Sequence, residues 1–395
     1  MYLYYRIRNW IFILLSIAWS PIIFSIIHWR ARRKSDGQSP RILVVPQFTR
    51  IGDVVCATPV FRAIKKQYPK SFIAVVVHKK TAGILKNNPH IDEIILYGYA
   101  NFFDVIRRIR LFKFDWSFCL SGSSIGTLMA WWGLIPDRVK LTRSDRPPSE
   151  LLTDWLNNYR FFYMHHTYLP GHYLKMLSVL SISDPEEVKE VFLSSGGEQK
   201  VERFLKENRI NKQDVLVGIS ITAGNKIKEW GDDKFTELAQ RIVAKYNAKI
   251  VFIGGRSDDA RISSLLKNLS KKYYFQATDF SLEELPSLIK RLSLYVAVDT
   301  GPIYIAHALK TPLIDIIGPV DPREQPPHDG RSVQLLPGSY IKPTSFVFKK
   351  PRRGVNHKIA LDSISVGGVM EGVERLVSGA GPLNTTGSLW ESVFD

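Results

Sequence analysis

The chain has 395 residues, 45% of them hydrophobic, which is enough for two domains with complete cores. Its two cysteines, Cys56 and Cys119, exclude a disulfide framework and are too few for a metal site, which fits a reducing compartment. Lys and Arg (54) exceed Asp and Glu (37), giving a net charge of +17. Such an excess is typical of proteins that bind nucleic acid, an anionic membrane or acidic substrates. No nucleic-acid recognition motif accompanies the charge, so nucleic acid is not expected as a partner.

The first element is a hydrophobic segment over residues 10–29, with Trp at both ends and no formal charge when His28 is neutral. A helix of this length covers about 30 Å, the thickness of a bilayer core, so the segment is expected to attach the chain to a membrane. More basic residues follow the segment than precede it, which predicts an inner-membrane protein with the rest of the chain on the cytoplasmic side. Pro21 leaves a hairpin-like interfacial anchor open, and a cleaved signal is disfavoured because no small-residue cleavage site precedes the basic cluster. Residues 1–40 are therefore assigned to a membrane anchor and linker.

Residues 41–69 have the pattern of a strand, a tight polar turn and a helix. An apolar strand at 42–45 leads to Gly52 and Asp53, and apolar residues at helical spacing follow as far as Pro69. In open α/β sheets ligands bind at the carboxyl ends of the strands, so Asp53 is expected to face a cleft. Asp53 has two interpretations: the N-cap of the helix, or a general base that takes the proton of an attacking hydroxyl.

The rest of the first half alternates predicted strands and helices. The strands are expected near residues 72–77, 93–97, 116–120 and 138–141. The aromatic and basic stretch 142–168 is interpreted as a packing loop, or alternatively as a ligand-binding surface. In the second interpretation Arg143 and Arg146 would pair with anionic sugars or lipid head groups, and Arg50, which precedes the Gly turn, is assigned the same role.

In the second half, a lysine-bearing loop follows a strand predicted at 215–221. Lys226 and Lys228 on this loop would neutralise a diphosphate as point charges, or would simply be solvated. Trp230 is expected to pin the loop in place, which favours the diphosphate interpretation.

A second strand-turn-helix lies at 294–309, where an apolar strand ends in Asp299, Thr300 and Gly301. Pro302 fits the first helical turn, since its missing N–H would have no partner there. The N–H groups of Thr300 and Gly301, together with the helix dipole, would form an anion cradle, and Gly301 lets a phosphate approach the backbone closely.

The remaining strands of the second half are expected near residues 249–253, 273–276 and 313–317. They alternate with helices, as a parallel sheet requires. Residues 365–377 have the spacing of a closing helix, and residues 378–395 are interpreted as a flexible tail.

Together these segments resemble glycosyltransferase family nine, the ADP-heptose:lipopolysaccharide heptosyltransferase type. The motifs that carry the resemblance are Ile51-Gly-Asp-Val-Val with Thr58-Pro59, Lys228-Glu-Trp, Asp299-Thr-Gly-Pro, Thr311-Pro and Gly318-Pro-Val-Asp-Pro. Their order and separations fit the family over roughly residues 41–377.

The resemblance implies a GT-B-like α/β fold in which two Rossmann-like domains face a cleft, with residues 41–180 binding the acceptor and residues 181–377 the nucleotide sugar. It implies inverting, metal-independent transfer of a sugar, heptose by resemblance, with no cofactor. The donor would be ADP-heptose or another nucleotide-diphosphate sugar. The acceptor would be a lipid-linked glycan such as the lipopolysaccharide core.

The resemblance also implies roles for single residues. Asp53 corresponds to the family's catalytic base and Lys228 to its phosphate-binding lysine. Asp299, Thr300 and Gly301 correspond to its contacts with the diphosphate and the sugar.

Two positions depart from the family pattern. Where the family commonly has a His, three residues after the turn Gly, this chain has Tyr304. It is assigned to donor binding, because its hydroxyl can donate a hydrogen bond to a phosphate, although it carries no positive charge. The acidic residue that often contacts the nucleoside is assigned to Asp258, the nearest candidate after the strand near 249–253.

The residue chemistry agrees with transfer that needs no metal. Sugar transfer requires a base for the acceptor and a cationic or N–H-rich site for the departing diphosphate. A metal is the other way to neutralise that leaving group, but no Asp-x-Asp, Walker A or His-Glu-x-x-His pattern occurs in the sequence. Two alternatives stay open: a GT-B nucleotide-sugar epimerase, and a membrane-anchored homologue that binds sugar or lipid without catalysis.

Overall fold

The computed structural model of the chain describes residues 2–32, 39–98, 100–327, 329–338, 341–348 and 356–377. The chain divides into two compact units, Met1–Lys189 and Glu190–Asp395, whereas the sequence analysis placed the division after residue 180. Most of the predicted linker and all of the predicted tail, residues 378–395, lie outside the described residues.

The first unit contains a parallel sheet of six described strands. Its strands are β1 (Arg41–Val45), β2 (Phe72–His78), β3 (Glu93–Tyr97), β4 (Trp116–Cys119), β5 (Asp137–Thr142) and β6 (Tyr159–Phe162). Its helices are α1 (Tyr2–Ala18), α2 (Ser20–Arg32), α3 (Ile51–Cys56), α4 (Thr58–Gln67), α5 (Phe102–Phe112), α6 (Ser124–Trp132), α7 (Pro148–Asp154) and α8 (Leu169–Lys175). The strand order is β3-β2-β1-β4-β5-β6.

The second unit contains another parallel sheet of six described strands. Its strands are β7 (Leu216–Ser220), β8 (Lys249–Ile253), β9 (Tyr274–Ala277), β10 (Leu294–Val298), β11 (Leu313–Ile316) and β12 (Ser332–Leu335). Its helices are α9 (Ser195–Glu207), α10 (Asp232–Tyr246), α11 (Asp259–Leu266), α12 (Leu285–Arg291), α13 (Gly301–Ala308), α14 (Lys358–Asp362) and α15 (Val366–Val377). The strand order is β12-β11-β10-β7-β8-β9.

Both sheets are doubly wound: successive strands are added first on one side of the starting strand and then on its other side. The point at which the direction of addition changes is the reversal point. The reversal lies between β1 and β4 in the first unit, and between β7 and β10 in the second. Ligands of open α/β sheets bind at the carboxyl ends of the strands beside such a point. The turns after β1, β7 and β10 therefore occupy the positions where the fold favours a site.

The sheets are rigid supports because their strands are buried. All five residues of β7 and of β10 are buried, which requires the continuous apolar runs seen in the sequence. Helix α10 covers the second sheet with Phe235, Leu238 and Ile242, whose spacing of three and four residues places them on one face.

The predicted helix after β1 is broken into α3 and α4. The N–H of Ala57 bonds to the carbonyl of Val54 (3.2 Å), which closes α3, and Pro59 lies in the first turn of α4. Proline has no N–H to continue the hydrogen-bond ladder, so the break falls next to it.

The preferred interpretation of residues 142–168 as a packing loop is wrong. They contain α7 and the edge strand β6, in which Phe161 pairs with Leu141. Strand β6 has only four residues, three of them exposed, so its pattern was too short to separate from an irregular segment.

The predicted single helix over residues 10–29 is wrong. Within the part of the chain that the structure describes, no one helix has the length and hydrophobicity of a membrane span, although Ile7–Ala18 and Ser20–Arg30 meet both criteria as a pair bent by 70°. The bend falls just before Pro21, which disfavours a continuous helix across this point.

Candidate active site

The candidate catalytic base, Asp53, lies in the first turn of α3, directly after β1. Arg50, which has an extended backbone, occupies the N-cap position, so the N-cap interpretation of Asp53 is wrong. The first helical turn still favours the carboxylate, because the partial positive charge of the helix N-terminus lies there. Asp53 is buried, with 3% of its surface exposed.

The surroundings of Asp53 are largely apolar. Val54, Val55 and Cys56 of the same helix are fully buried. The Tyr173 ring of α8 is also fully buried, and its hydroxyl has no hydrogen-bond partner among the described residues. Burial, and then the negative charges of Asp53 and Cys56, raise the pKa of the Tyr173 hydroxyl well above its usual range. Tyr173 is therefore held neutral near Asp53, a neighbour that the sequence analysis missed.

The arginines assigned to acceptor binding have different surroundings. Arg50 is exposed beside the Asp53 turn. Arg143 Nε lies 3.5 Å from Glu150, and Arg146 Nε lies 3.1 Å from the buried Asp154. An anionic acceptor would have to compete with these carboxylates for either of the latter two arginines.

In the second unit, Lys228 and Asp299 form the centre of the candidate donor site. Lys228 Nζ lies 2.5 Å from Asp299 Oδ2, and the Asp299 side chain is only 4% exposed. The pair joins the loop after β7 to the end of β10, the two strands that flank the reversal point. Lys228 keeps 22% of its side-chain surface exposed, so it is partly accessible to a ligand while the buried Asp299 holds its ammonium group.

The loop that carries Lys228 is fixed at both ends. Asn225 Oδ1 accepts a hydrogen bond from the N–H of Ile227 (3.3 Å) at the start of a 3-10 turn over Lys226–Lys228. Trp230 is buried, and its indole N–H donates to the carbonyl of Ile364 (2.9 Å). The prediction that Trp230 pins this loop is confirmed.

Tyr304, which stands where the family commonly has a His, is buried under the same carboxylate. Its hydroxyl donates to Asp299 Oδ1 (2.8 Å), so Asp299 accepts one bond from Tyr304 and one from Lys228. In this structure the tyrosine supports Asp299 from within α13, at a position where it is 3% exposed.

The turn after β10 has the geometry of an anion cradle. Thr300 is the N-cap of α13 with an extended backbone, and its side chain makes no capping bond. Pro302 occupies the first turn as predicted, and Thr300 and Gly301 are partly exposed. Because the first N–H groups of a helix have no intrahelical partner, they are available to an anion here.

Asp315 completes this cluster, and the sequence analysis did not find it. It lies on β11 opposite Ala297 and is fully buried, and neither carboxylate oxygen has a hydrogen-bond partner in the described part of the chain. Burial, and then the charge of Asp299, raise the pKa of the Asp315 carboxyl well above its usual range, while Lys228 opposes this. An acidic residue inside the apolar strand 313–317 was the available signal.

Asp258 has a local structural role. Its Oδ2 accepts a hydrogen bond from the N–H of Gly255 (2.8 Å) and so closes the turn that follows β8. The Asp258 carboxylate follows β8, the strand that pairs with β7, and it does not belong to the group formed by Lys228, Asp299 and Tyr304.

Comparisons with known proteins agree with this architecture. The family model described as glycosyltransferase family 9 (heptosyltransferase) matches residues 173–349. A lipopolysaccharide heptosyltransferase 3 of Escherichia coli is 25% identical over 356 residues, which cover 85% of this chain and 98% of the relative. The protein of the same name from strain K12 is 26% identical over 305 residues, which cover 74% of this chain and 86% of the relative.

Solved structures show the same fold. The glycosyl transferase family 9 structure from Veillonella parvula has a TM-score of 0.72 at 21% identity and covers 87% of this chain and 99% of its own. The structure of the ADP-heptose lps heptosyltransferase II of E. coli has a TM-score of 0.68 at 17% identity. The match covers 86% of this chain and 99% of that structure.

The two Rossmann-like units, each with a doubly wound parallel sheet, match the GT-B fold of these solved structures. The match to the family model and the two relatives confirm the resemblance to glycosyltransferase family 9 that the motifs predicted.

Proposed function

We propose that this enzyme transfers heptose from ADP-heptose to a lipid-linked glycan of the lipopolysaccharide core type, with inversion and without a metal. The observation that carries the proposal is the partly exposed Lys228, whose ammonium group is held by Asp299 beside the first turn of α13. Relatives over most of the chain are named lipopolysaccharide heptosyltransferases. A heptosyltransferase of E. coli with the same fold was solved with ADP-2-deoxy-2-fluoro heptose (TM-score 0.60, 15% identity).

The donor diphosphate would bind at the end of β10. The N–H groups of Thr300 and Gly301 would bind its oxygens, and Lys228 would neutralise the charge that develops as the sugar leaves. Asp299 and Tyr304 would position Lys228, since both are too buried to contact a donor extensively. Asp258 would bind the nucleoside only by giving up its bond to Gly255.

Asp53 would act as the base. The acceptor hydroxyl would pass its proton to the Asp53 carboxylate while its oxygen attacks the anomeric carbon from the side opposite the diphosphate. The bond between that carbon and the diphosphate oxygen would break, and ADP would leave with the electron pair. One displacement inverts the anomeric configuration. Because Asp53 is 3% exposed, this role requires the side chains that cover it to move when the acceptor binds.

The acceptor would be an amphipathic, anionic glycan lipid. Arg50 is exposed and able to bind its phosphate or carboxylate groups, and Arg143 and Arg146 would do so by exchanging partners. Attachment through residues 10–29 to the cytoplasmic face of the inner membrane would bring the enzyme to such a substrate. Many large apolar side chains of this segment are exposed, which supports the attachment.

The test is a transfer assay with detergent-solubilised protein, ADP-heptose and a heptose-deficient core glycolipid, in the presence of EDTA. The proposal expects one added heptose by mass spectrometry and an inverted anomeric centre by NMR. Conversion of the donor without acceptor would instead indicate an epimerase. Donor binding with no transfer to any acceptor glycolipid would indicate a binding protein.

A further inference from the structure

An apolar groove lies between the N-terminal helix and α5. It has a volume of about 790 Å³, within the range of about 300–1,000 Å³ typical of ligand pockets. Ile11, Phe12 and Leu15 of α1 form one wall, and Phe103 and Leu111 of α5 form the other. None of the five belongs to the candidate active site.

The groove has a fixed shape because α1 is docked on the body of the first unit. Trp132 Nε1 donates to Ser16 Oγ (2.9 Å), and Asn9 Nδ2 donates to Ser124 Oγ (3.2 Å). Phe12 is buried against Phe102, with ring centroids 4.8 Å apart. Helix α1 therefore forms part of the folded unit, and the groove is built from both.

Four cations line the groove: Arg8, Arg107, Arg110 and Lys113. None of the described residues lining it is acidic. Arg107 and Lys113 are exposed and form no ion pair with another described residue. Their charges are available to a ligand, because no described carboxylate competes for them.

The exposed face of α5 has the composition of a lipid contact. Phe103 and Leu111 are 69% and 71% exposed, and Arg107 lies between them on the same face of the helix. The nearby N-terminal helices expose further large apolar side chains. Those at least half exposed are Ile7, Ile11, Leu14, Trp19, Ile22 and Trp29. Exposed apolar area of this kind, next to basic residues, is typical of surfaces that enter a membrane interface.

We propose that this groove binds one anionic glycerophospholipid of the bilayer. An acyl chain would lie along Ile11, Leu15 and Phe103, and the phosphate would bind to Arg107 and Lys113. The inference rests on the proposed membrane attachment of residues 10–29 and adds to it a defined lipid and its ligands. Charge complementarity selects an anionic lipid over phosphatidylcholine.

The first test measures binding of the full-length protein to vesicles by flotation. Vesicles of pure phosphatidylcholine are compared with vesicles containing phosphatidylglycerol, using wild type, the double variant Arg107→Glu with Lys113→Glu, and the control Lys267→Glu with Lys271→Glu. The control pair changes the net charge equally at exposed positions of the second unit. Reversal at the groove should weaken binding to the anionic vesicles by at least about tenfold and leave binding to neutral vesicles unchanged. Equal binding of the two double variants to anionic vesicles would overturn the proposal.

The second test detects the lipid directly by native mass spectrometry of detergent-purified protein. Wild type should retain one phosphatidylglycerol in preference to phosphatidylcholine, and Leu111→Glu should lose it. Val215→Glu, an exposed apolar position of the second unit, is the control and should retain it. The proposal would be overturned if wild type retained the acceptor glycolipid instead of phosphatidylglycerol, or if it retained no lipid at all. In that case, binding of wild type to neutral vesicles would show that the protein attaches to membranes without this lipid site. The transfer assay tests the proposed function separately from the lipid site and from membrane attachment.

Discussion

The Lys228 ammonium lies 2.5 Å from Asp299, and the two residues come from turns 71 positions apart in the sequence. The lysine is partly exposed and the aspartate is buried, so the cation is the member of this ion pair that a ligand can reach. Such a charge, already oriented before the donor binds, stabilises a leaving diphosphate without reorganisation during the reaction.

Replacing Lys228 by Met should weaken binding of ADP-heptose by about 10- to 100-fold, because it removes a charge-assisted interaction and leaves the buried Asp299 without its cation. The measurement is the donor dissociation constant by calorimetry. Lys226→Met is the matched control, since Lys226 is exposed on the same 3-10 turn and has no ion pair with a described residue. Equal losses in the two variants would mean that only the general charge of the loop matters.

Tyr304→Phe should lower both stability and donor affinity, because Asp299 Oδ1 loses the hydroxyl that donates to it at 2.8 Å. The expected cost in free energy of unfolding is about 1–3 kcal/mol. Tyr304→His places the residue common in the family and should recover most of the donor affinity. Thermal unfolding and donor titration of the three proteins test this. If Tyr304→Phe has the stability and donor affinity of wild type, the Tyr304 hydroxyl has no role in the site.

Asp315 predicts a pH dependence of stability. Its pKa is raised in the folded protein by burial and then by Asp299. A carboxyl with a raised folded pKa favours folding below its unfolded pKa of about 3.9, and this contribution is lost as the pH rises toward the folded pKa. Asp315→Asn removes the titration, so the melting temperature of wild type should fall relative to that of the variant as the pH rises above about 4.

The control for this experiment is Asp233→Asn, which changes an exposed carboxylate on α10. Its melting temperature should follow that of wild type across the same range. A constant difference between wild type and Asp315→Asn at every pH would contradict the raised pKa of Asp315.

The strand-turn-helix elements could be predicted because their signals are local. The apolar run before Asp299 and the Pro302 after it define a strand end and a helix start within ten residues. The same holds for β1 and the Asp53 turn. The pairing of Lys228 with Asp299 was within reach only through the family resemblance.

Other features depend on contacts between distant segments. Asp315 belongs to the site only because β11 pairs with β10, a register that the sequence of either strand does not specify. The depth of Asp53 depends on packing by elements such as α8, which lies more than a hundred residues away. The bend before Pro21 and the docking of α1 likewise required the tertiary structure, because an isolated hydrophobic run fits a straight helix equally well.

Turnover of Asp53→Asn tests the central claim most directly. The amide has the shape of the carboxylate but cannot accept the acceptor's proton, so kcat should fall by about 10²- to 10⁴-fold while ADP-heptose still binds and the melting temperature changes little. Asp233→Asn serves again as the control and should turn over normally. Near-normal turnover of Asp53→Asn with ADP-heptose and the core glycolipid would contradict the assignment of Asp53 as the base.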